Sequence, residues 1–298
     1  MRKLIERLAV FFIGVPALYC LIVFLPFFHN LALNLVIVFF SALGAVEFSS
    51  MLEKKNVKIS KIESFILGAS IPLGLTLVIS ANLSFWIVPV ICVGGFLWAL
   101  ISRIFSKQQE IETVTNKVTG LLSLFIYPGL FMGFIVFMSA WGKPSIILLF
   151  LLITFGNDSI AWLFGSLFGA NNRGIIAVSP NKSIAGFIGG MLGSVLVAVG
   201  AILFFSGNLF DDGYLYRKFN IYNGDIPMST TIKFLILGLC TGIAAILGDL
   251  SESAMKRSCD FKDSGNFMLG RGGVLDSIDS VAVAAPVFFL LYSYLFNA

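Results

Sequence analysis

Residues 230 to 248 read TTIKFLILGLCTGIAAILG and run directly into Asp249-Leu250-Ser251-Glu252-Ser253-Ala254-Met255-Lys256-Arg257. The first part is an apolar run of about 20 residues, the length of helix that crosses a hydrocarbon core. The second should continue that helix beyond the lipid. Asp249, Glu252, Ser253, Lys256 and Asp260 would then share one face, because side chains three, four and seven positions apart stack along a helix. Carboxylates and an ammonium would gather in one stripe at the membrane boundary. A solvated face with a Glu252 to Lys256 ion pair would satisfy the same pattern.

Outward from this stretch, apolar runs recur near residues 9–28, 31–50, 64–82, 84–104, 118–139, 144–168, 184–206 and 279–297, which with 230–248 predicts nine transmembrane helices. Hydrophobic residues make up 58% of the chain and charged residues 12%, against about 25% charged in a soluble domain. Lipid must therefore be the solvent for most of it. Only helices and closed barrels satisfy the backbone there, and continuous runs are not the alternating strands of a barrel. The fold class expected is all-α, a polytopic integral membrane protein. Residues 1–140 form N-terminal membrane helices, and residues 141–298 form a C-terminal region that carries the polar stretches.

Of the 20 Lys and Arg residues, all but Lys143, Arg217, Lys218 and Lys233 fall on one side of this arrangement. The positive-inside rule then puts the N-terminus in the cytoplasm and the C-terminus outside. The expected location is the cell (inner) membrane. The first run follows Arg2, Lys3 and Arg7 and reads as a retained signal anchor. Cys20, Cys92, Cys240 and Cys259 have no disulfide or zinc spacing. Nothing resembles a nucleic-acid-binding patch. The outer segment Gly207 to Met228 is polar without a chemical motif.

Chemistry concentrates in two cytoplasmic stretches. One continues past Arg257 through Lys262-Asp263 to Gly270-Arg271-Gly272-Gly273-Val274-Leu275-Asp276-Ser277-Ile278-Asp279 and enters the last span. A Gly-rich loop opening a helix presents free backbone N–H groups, which with an Arg make an anion site. Asp276 and Asp279 share a helix face, and carboxylates at such positions suit Mg²⁺, which shares its shell with substrate phosphates. The other stretch begins with Asp158 inside the sixth run and continues to Ser179-Pro180-Asn181-Lys182-Ser183. A carboxylate within a span costs roughly 2.5 to 3.5 kcal/mol on insertion scales and normally faces a cavity or a partner. The Ser179 to Ser183 segment offers hydroxyls and an ammonium at a helix start, although an ordinary N-cap with a flanking Lys reads the same way.

Ser253-Ala254-Met255-Lys256-Arg257, Lys262-Asp263, Gly270, Gly272-Gly273, Asp276 and Asp279 together resemble the C-terminal signature of the phosphatidate cytidylyltransferases, or CDP-diacylglycerol synthases. Asp158-Ser159 and Ser179 to Ser183 fall where that family's second motif would lie. Where the family usually has Pro, His and Arg, this chain has Leu269, Arg271 and Ser277; a second Lys and a Glu are replaced by Asn181 and Ala185. The resemblance implies condensation of CTP with phosphatidic acid to CDP-diacylglycerol and pyrophosphate, at the cytoplasmic face, in phospholipid biosynthesis. It implies Asp249 and Asp276 as Mg²⁺ ligands, with Glu252, Asp158 and Asp279 as second-tier ligands, and leaves open a second, monovalent cation. Asp249, Lys256 and Asp276 would be catalytic. Ser179, Lys182, Ser183, Ser253, Arg257, Lys262, Asp263, Arg271, Gly272 and Gly273 would contact substrate. Expected partners are CTP, phosphatidic acid, the bilayer and, as an option, a second copy of the chain.

Two other readings stand beside it: an ion-coupled transporter and a catalytically diverged relative. Against a transporter, the charges gather at one membrane face and not at the midplane. A CDP-alcohol phosphatidyltransferase would begin its signature with Asp-Gly followed closely by Ala-Arg. The one Asp-Gly here, Asp212-Gly213, leads into Tyr214-Leu215-Tyr216-Arg217 on the predicted outer face.

Overall fold

A computed structural model describes residues 13–104, 113–205, 228–268, 270 and 272–296. The start of the predicted first span, the outer segment as far as residue 227, and Arg271 lie outside these residues. The described chain folds as α1 (Val15–Val23), α2 (Phe27–Glu53), α3 (Lys61–Ser80), α4 (Ile87–Ile101), α5 (Val114–Leu124), α6 (Phe131–Ser139), α7 (Pro144–Phe168), α8 (Ile184–Phe205), α9 (Met228–Ser258) and α10 (Leu275–Phe296). A π-helical turn, Phe125–Leu130, joins α5 to α6, so that Val114–Ser139 forms one span.

Among the described residues, seven helices are long and apolar enough to cross a membrane, and Ile87–Ile101 is apolar but shorter. The predicted break between the first two spans falls at a sharp turn. Phe28, His29 and Asn30 all take left-handed backbone angles there, a conformation that costs non-glycine residues about 1 to 2 kcal/mol each.

Contacts divide the chain into two units, residues 1–140 with 255–278, and residues 141–254 with 279–298. The division falls within α9 and within α10. In the first unit, α2 and α3 meet through small residues. A Cβ on Gly68 would lie 2.5 Å from the Ala45 Cβ and 2.7 Å from the Ser41 carbonyl. Lipid tails supply no hydrophobic drive between helices, so close backbone approach and polar bonds hold them together. Ser41 Oγ donates to the Gly68 carbonyl at 2.6 Å and to that of Pro128 in the π turn. Pro128 cannot donate a backbone hydrogen bond, which suits it to such an irregular turn.

The second unit uses the same device between α7, α8 and α9. Cβ atoms on Gly156 and Gly193 would sit 2.7 Å from Val197 and Ile160, and one on Gly238 would sit 2.7 Å from Ala198. Asn157 on α7 is buried and donates to the Gly242 carbonyl of α9 at 3.2 Å. On α10, Phe288 packs 5.3 Å from Phe150, and Phe289 stacks on Trp141 at 4.9 Å. These contacts seat the helices whose ends carry the polar motifs.

Candidate active site

In the second unit, the loop between α7 and α8 folds back on itself. Gly174 turns it with a positive φ of 82°, its amide donating to the Pro180 carbonyl at 3.0 Å. Ser183 is buried, and its Oγ accepts a hydrogen bond from the Gly186 amide at 3.1 Å, capping α8. A hydroxyl at this position satisfies one of the orphan donors of a helix start. The preceding residue, Lys182, forms an ion pair with Asp249 of α9, both side chains being partly exposed. Ser179 is half-buried and Asp158 is exposed on α7. Glu252 is fully buried and Ser253 half-buried, one turn beyond Asp249.

In the first unit, α9 ends at Ser258, and Asp260 closes the turn with a positive φ of 59°. Asp260 therefore leaves the predicted stripe, and its exposed carboxylate lies 4.0 Å from Lys55. Lys256 pairs with Asp276 across the loop at 2.5 Å, with side chains only 13% and 8% exposed. Arg257, Lys262 and Asp263 are exposed.

The other oxygen of Asp276, Oδ2, accepts from the Ser264 amide at 2.8 Å, the Gly273 amide at 2.7 Å and the Ser264 hydroxyl at 3.0 Å. Gly272 has φ of 100°, and a Cβ there would strike that same carboxylate. Ser277 Oγ contacts the Gly273 carbonyl at 3.3 Å, and Asp279 accepts from the adjacent Ser280 amide at 2.6 Å.

Sequence motifs did not point to Glu47 on α2. It accepts from the Val274 amide at 2.9 Å, the Leu275 amide at 2.8 Å and the Ser264 hydroxyl at 3.0 Å. Three amides at the start of α10 thus donate to carboxylates of the chain itself. A phosphate arriving at those amides would meet occupied donors. The one mark Glu47 leaves in the sequence is a carboxylate inside an apolar run, which by itself signals function or a partner.

Among the described residues, no three His, Cys, Asp or Glu side chains gather into a metal cage. A hard cation that keeps waters and shares its shell with phosphates needs only one or two carboxylates. Asp276 and Asp249 offer oxygen donors of that kind, and each is now neutralised by a lysine. The donor chemistry fits Mg²⁺.

Among the described residues, seven apolar helices of membrane-crossing length, with Asp–Lys pairs near helix ends, define a multi-pass membrane protein. The Cytidylyltransferase family model matches residues 5–295, and the chain belongs to that family. It is 28% identical to the phosphatidate cytidylyltransferase of Haemophilus influenzae, over 94% of this chain and 95% of that one. Against the phosphatidate cytidylyltransferase of Staphylococcus aureus it is 27% identical, over 92% and 96%. A 33% match to an uncharacterized Escherichia coli protein, YnbB, spans 51% of this chain and 44% of that protein. Relatives with these names make the family one of nucleotidyltransferases.

Proposed function

We propose that this protein transfers the cytidylyl group of CTP to phosphatidic acid at the cytoplasmic face of the cell membrane. The observation that carries the reading is similarity over nearly the whole chain to relatives named for that activity. A phosphate oxygen of phosphatidic acid attacks the α-phosphorus of CTP. One P–O bond forms, the bond from the α-phosphorus to the bridging oxygen breaks, and pyrophosphate leaves. Such transfers depend on positioning and charge neutralisation.

Lys182 and Lys256 supply point charges that turn from their carboxylates toward phosphate oxygens, and Arg257 and Arg271 supply planar guanidinium contacts. Ser179, Ser253, Lys262, Asp263, Gly272 and Gly273 remain candidate substrate contacts. Asp249 and Asp276 are each candidate carboxylates for Mg²⁺, which when bound would neutralise charge developing on the phosphates. Purified protein in detergent, given radiolabelled CTP, phosphatidic acid and Mg²⁺, is expected to yield lipid-extractable label. Label confined to the aqueous phase would overturn the reading.

The reading also requires the stretches around Lys182 and Lys256 to face the cytosol, because CTP is cytosolic, and nine spans with the N-terminus inside would put them there. The asymmetry of Lys and Arg supports it. In a background without the native cysteines, new cysteines at Asn56 and Asn172 should resist an impermeant thiol reagent applied to intact cells, and one at Asn223 should label. Labelling of Asn56 or Asn172 from outside would reverse the orientation.

A further inference from the structure

Glu47 makes no contact that the cytidylyl-transfer reading uses, yet three groups around Asp276 converge on it. Its Oε1 takes the Val274 amide, and its Oε2 takes the Leu275 amide and the Ser264 hydroxyl. The Ser264 hydroxyl also lies 3.0 Å from Asp276 Oδ2 and accepts the Asp276 amide at 3.3 Å. One hydroxyl proton therefore serves two carboxylates, and it can be donated to only one of them at a time. The backbone is shaped around this carboxylate. A Cβ on Gly265 would lie 2.5 Å from Glu47 Oε1, and one on Gly273 would overlap both Ser264 Oγ and Glu47 Oε2. An anion against the first amides of a helix is also favoured by the helix dipole.

We infer that Glu47 is the positioning residue for Asp276, holding Ser264 and the Val274–Leu275 start of α10 so that the Asp276 carboxylate is set toward Lys256 before substrate arrives. Glu47 acts through Asp276 and touches no substrate. Its loss is therefore felt in turnover and not in substrate affinity. The consequence for turnover rests on the cytidylyl-transfer reading; the geometry does not.

Three variants test this: Glu47→Gln, which keeps the shape and removes the charge; Glu47→Asp, which is one methylene shorter; and Ser264→Ala, which removes only the bridge. Glu47→Gln is expected to lower kcat tenfold or more, as small misplacements of reacting groups do, with KM for CTP and phosphatidic acid within about twofold of the parent. Glu47→Asp should fall between the two. Backbone hydrogen exchange over residues 262–276 should quicken in Glu47→Gln, while exchange over 184–201 stays as in the parent.

Unchanged kcat, or a raised KM at unchanged kcat, would overturn the inference, the latter by making Glu47 a direct substrate contact. Should Glu47→Gln fail to fold, Ser264→Ala decides: the same kcat loss at a parental melting temperature supports the positioning role, and parental kcat sinks it. If the parent itself turned over no CTP, the proposed activity would fall. Exchange over 262–276 in Glu47→Gln would still decide the geometry, unchanged protection overturning it.

Discussion

Asp276→Asn and Asp249→Asn are each expected to lower cytidylyl transfer by at least about a hundredfold, or about 2.7 kcal/mol of barrier. The substitution keeps size and removes the charge that pairs with the lysine and that the proposed metal would need. The two variants should differ in stability. At position 276 the amide oxygen can still accept from Ser264 and Gly273, but the amide nitrogen then faces the Lys256 ammonium, donor against donor. Losing a charge-assisted bond to a largely buried lysine costs roughly 1.5 to 3 kcal/mol, so the melting temperature of Asp276→Asn should fall. The Lys182–Asp249 pair is 25% and 34% exposed, and such pairs contribute only about 0 to 1 kcal/mol. Asp249→Asn should therefore melt near the parent. Ordinary turnover with ordinary Mg²⁺ dependence in both variants would remove these residues from the metal shell.

Arg271→Ala is expected to cost roughly a hundredfold or more in kcat/KM, while Ser277→Ala costs little. The resemblance places a His at 271 and an Arg at 277, so one cation is present in either arrangement, moved across the start of the same helix. The Ser277 hydroxyl donates to the Gly273 carbonyl within the first turn of α10. A missing His matters only if the reaction needs a base. A phosphomonoester has a second pKa near about 6, so phosphatidic acid is already largely a dianion at neutral pH. His29, the chain's one histidine, sits in the left-handed turn at the start of α2. Arg271→Lys should recover only part of the loss, because an ammonium cannot make a bidentate guanidinium contact. Parental kcat/KM in Arg271→Ala would refute the relocated cation and make Lys262 the next candidate.

Helical class and membrane residence were legible from residues 230–248 and their counterparts, because a long apolar run in lipid has one backbone solution. The polar face of α9 was legible as far as Lys256, since helical spacing is a local property. Asp260 was not, because where a helix stops depends on one residue taking a left-handed turn. The GRGG segment could be read as a helix start with amides to satisfy, but not for what satisfies them. That acceptor, Glu47, is 227 and 228 positions away in the chain from the two amides it takes.

Composition and the length of the apolar runs by themselves determined the solvent and the helical class. Only tertiary structure decided which carboxylate meets which cation: Lys256 with Asp276, and Lys182 with Asp249. The reason is physical. Apolar length and helical period act within a segment and leave a local trace. A hydrogen bond between distant segments leaves none beyond the presence of its donor and its acceptor.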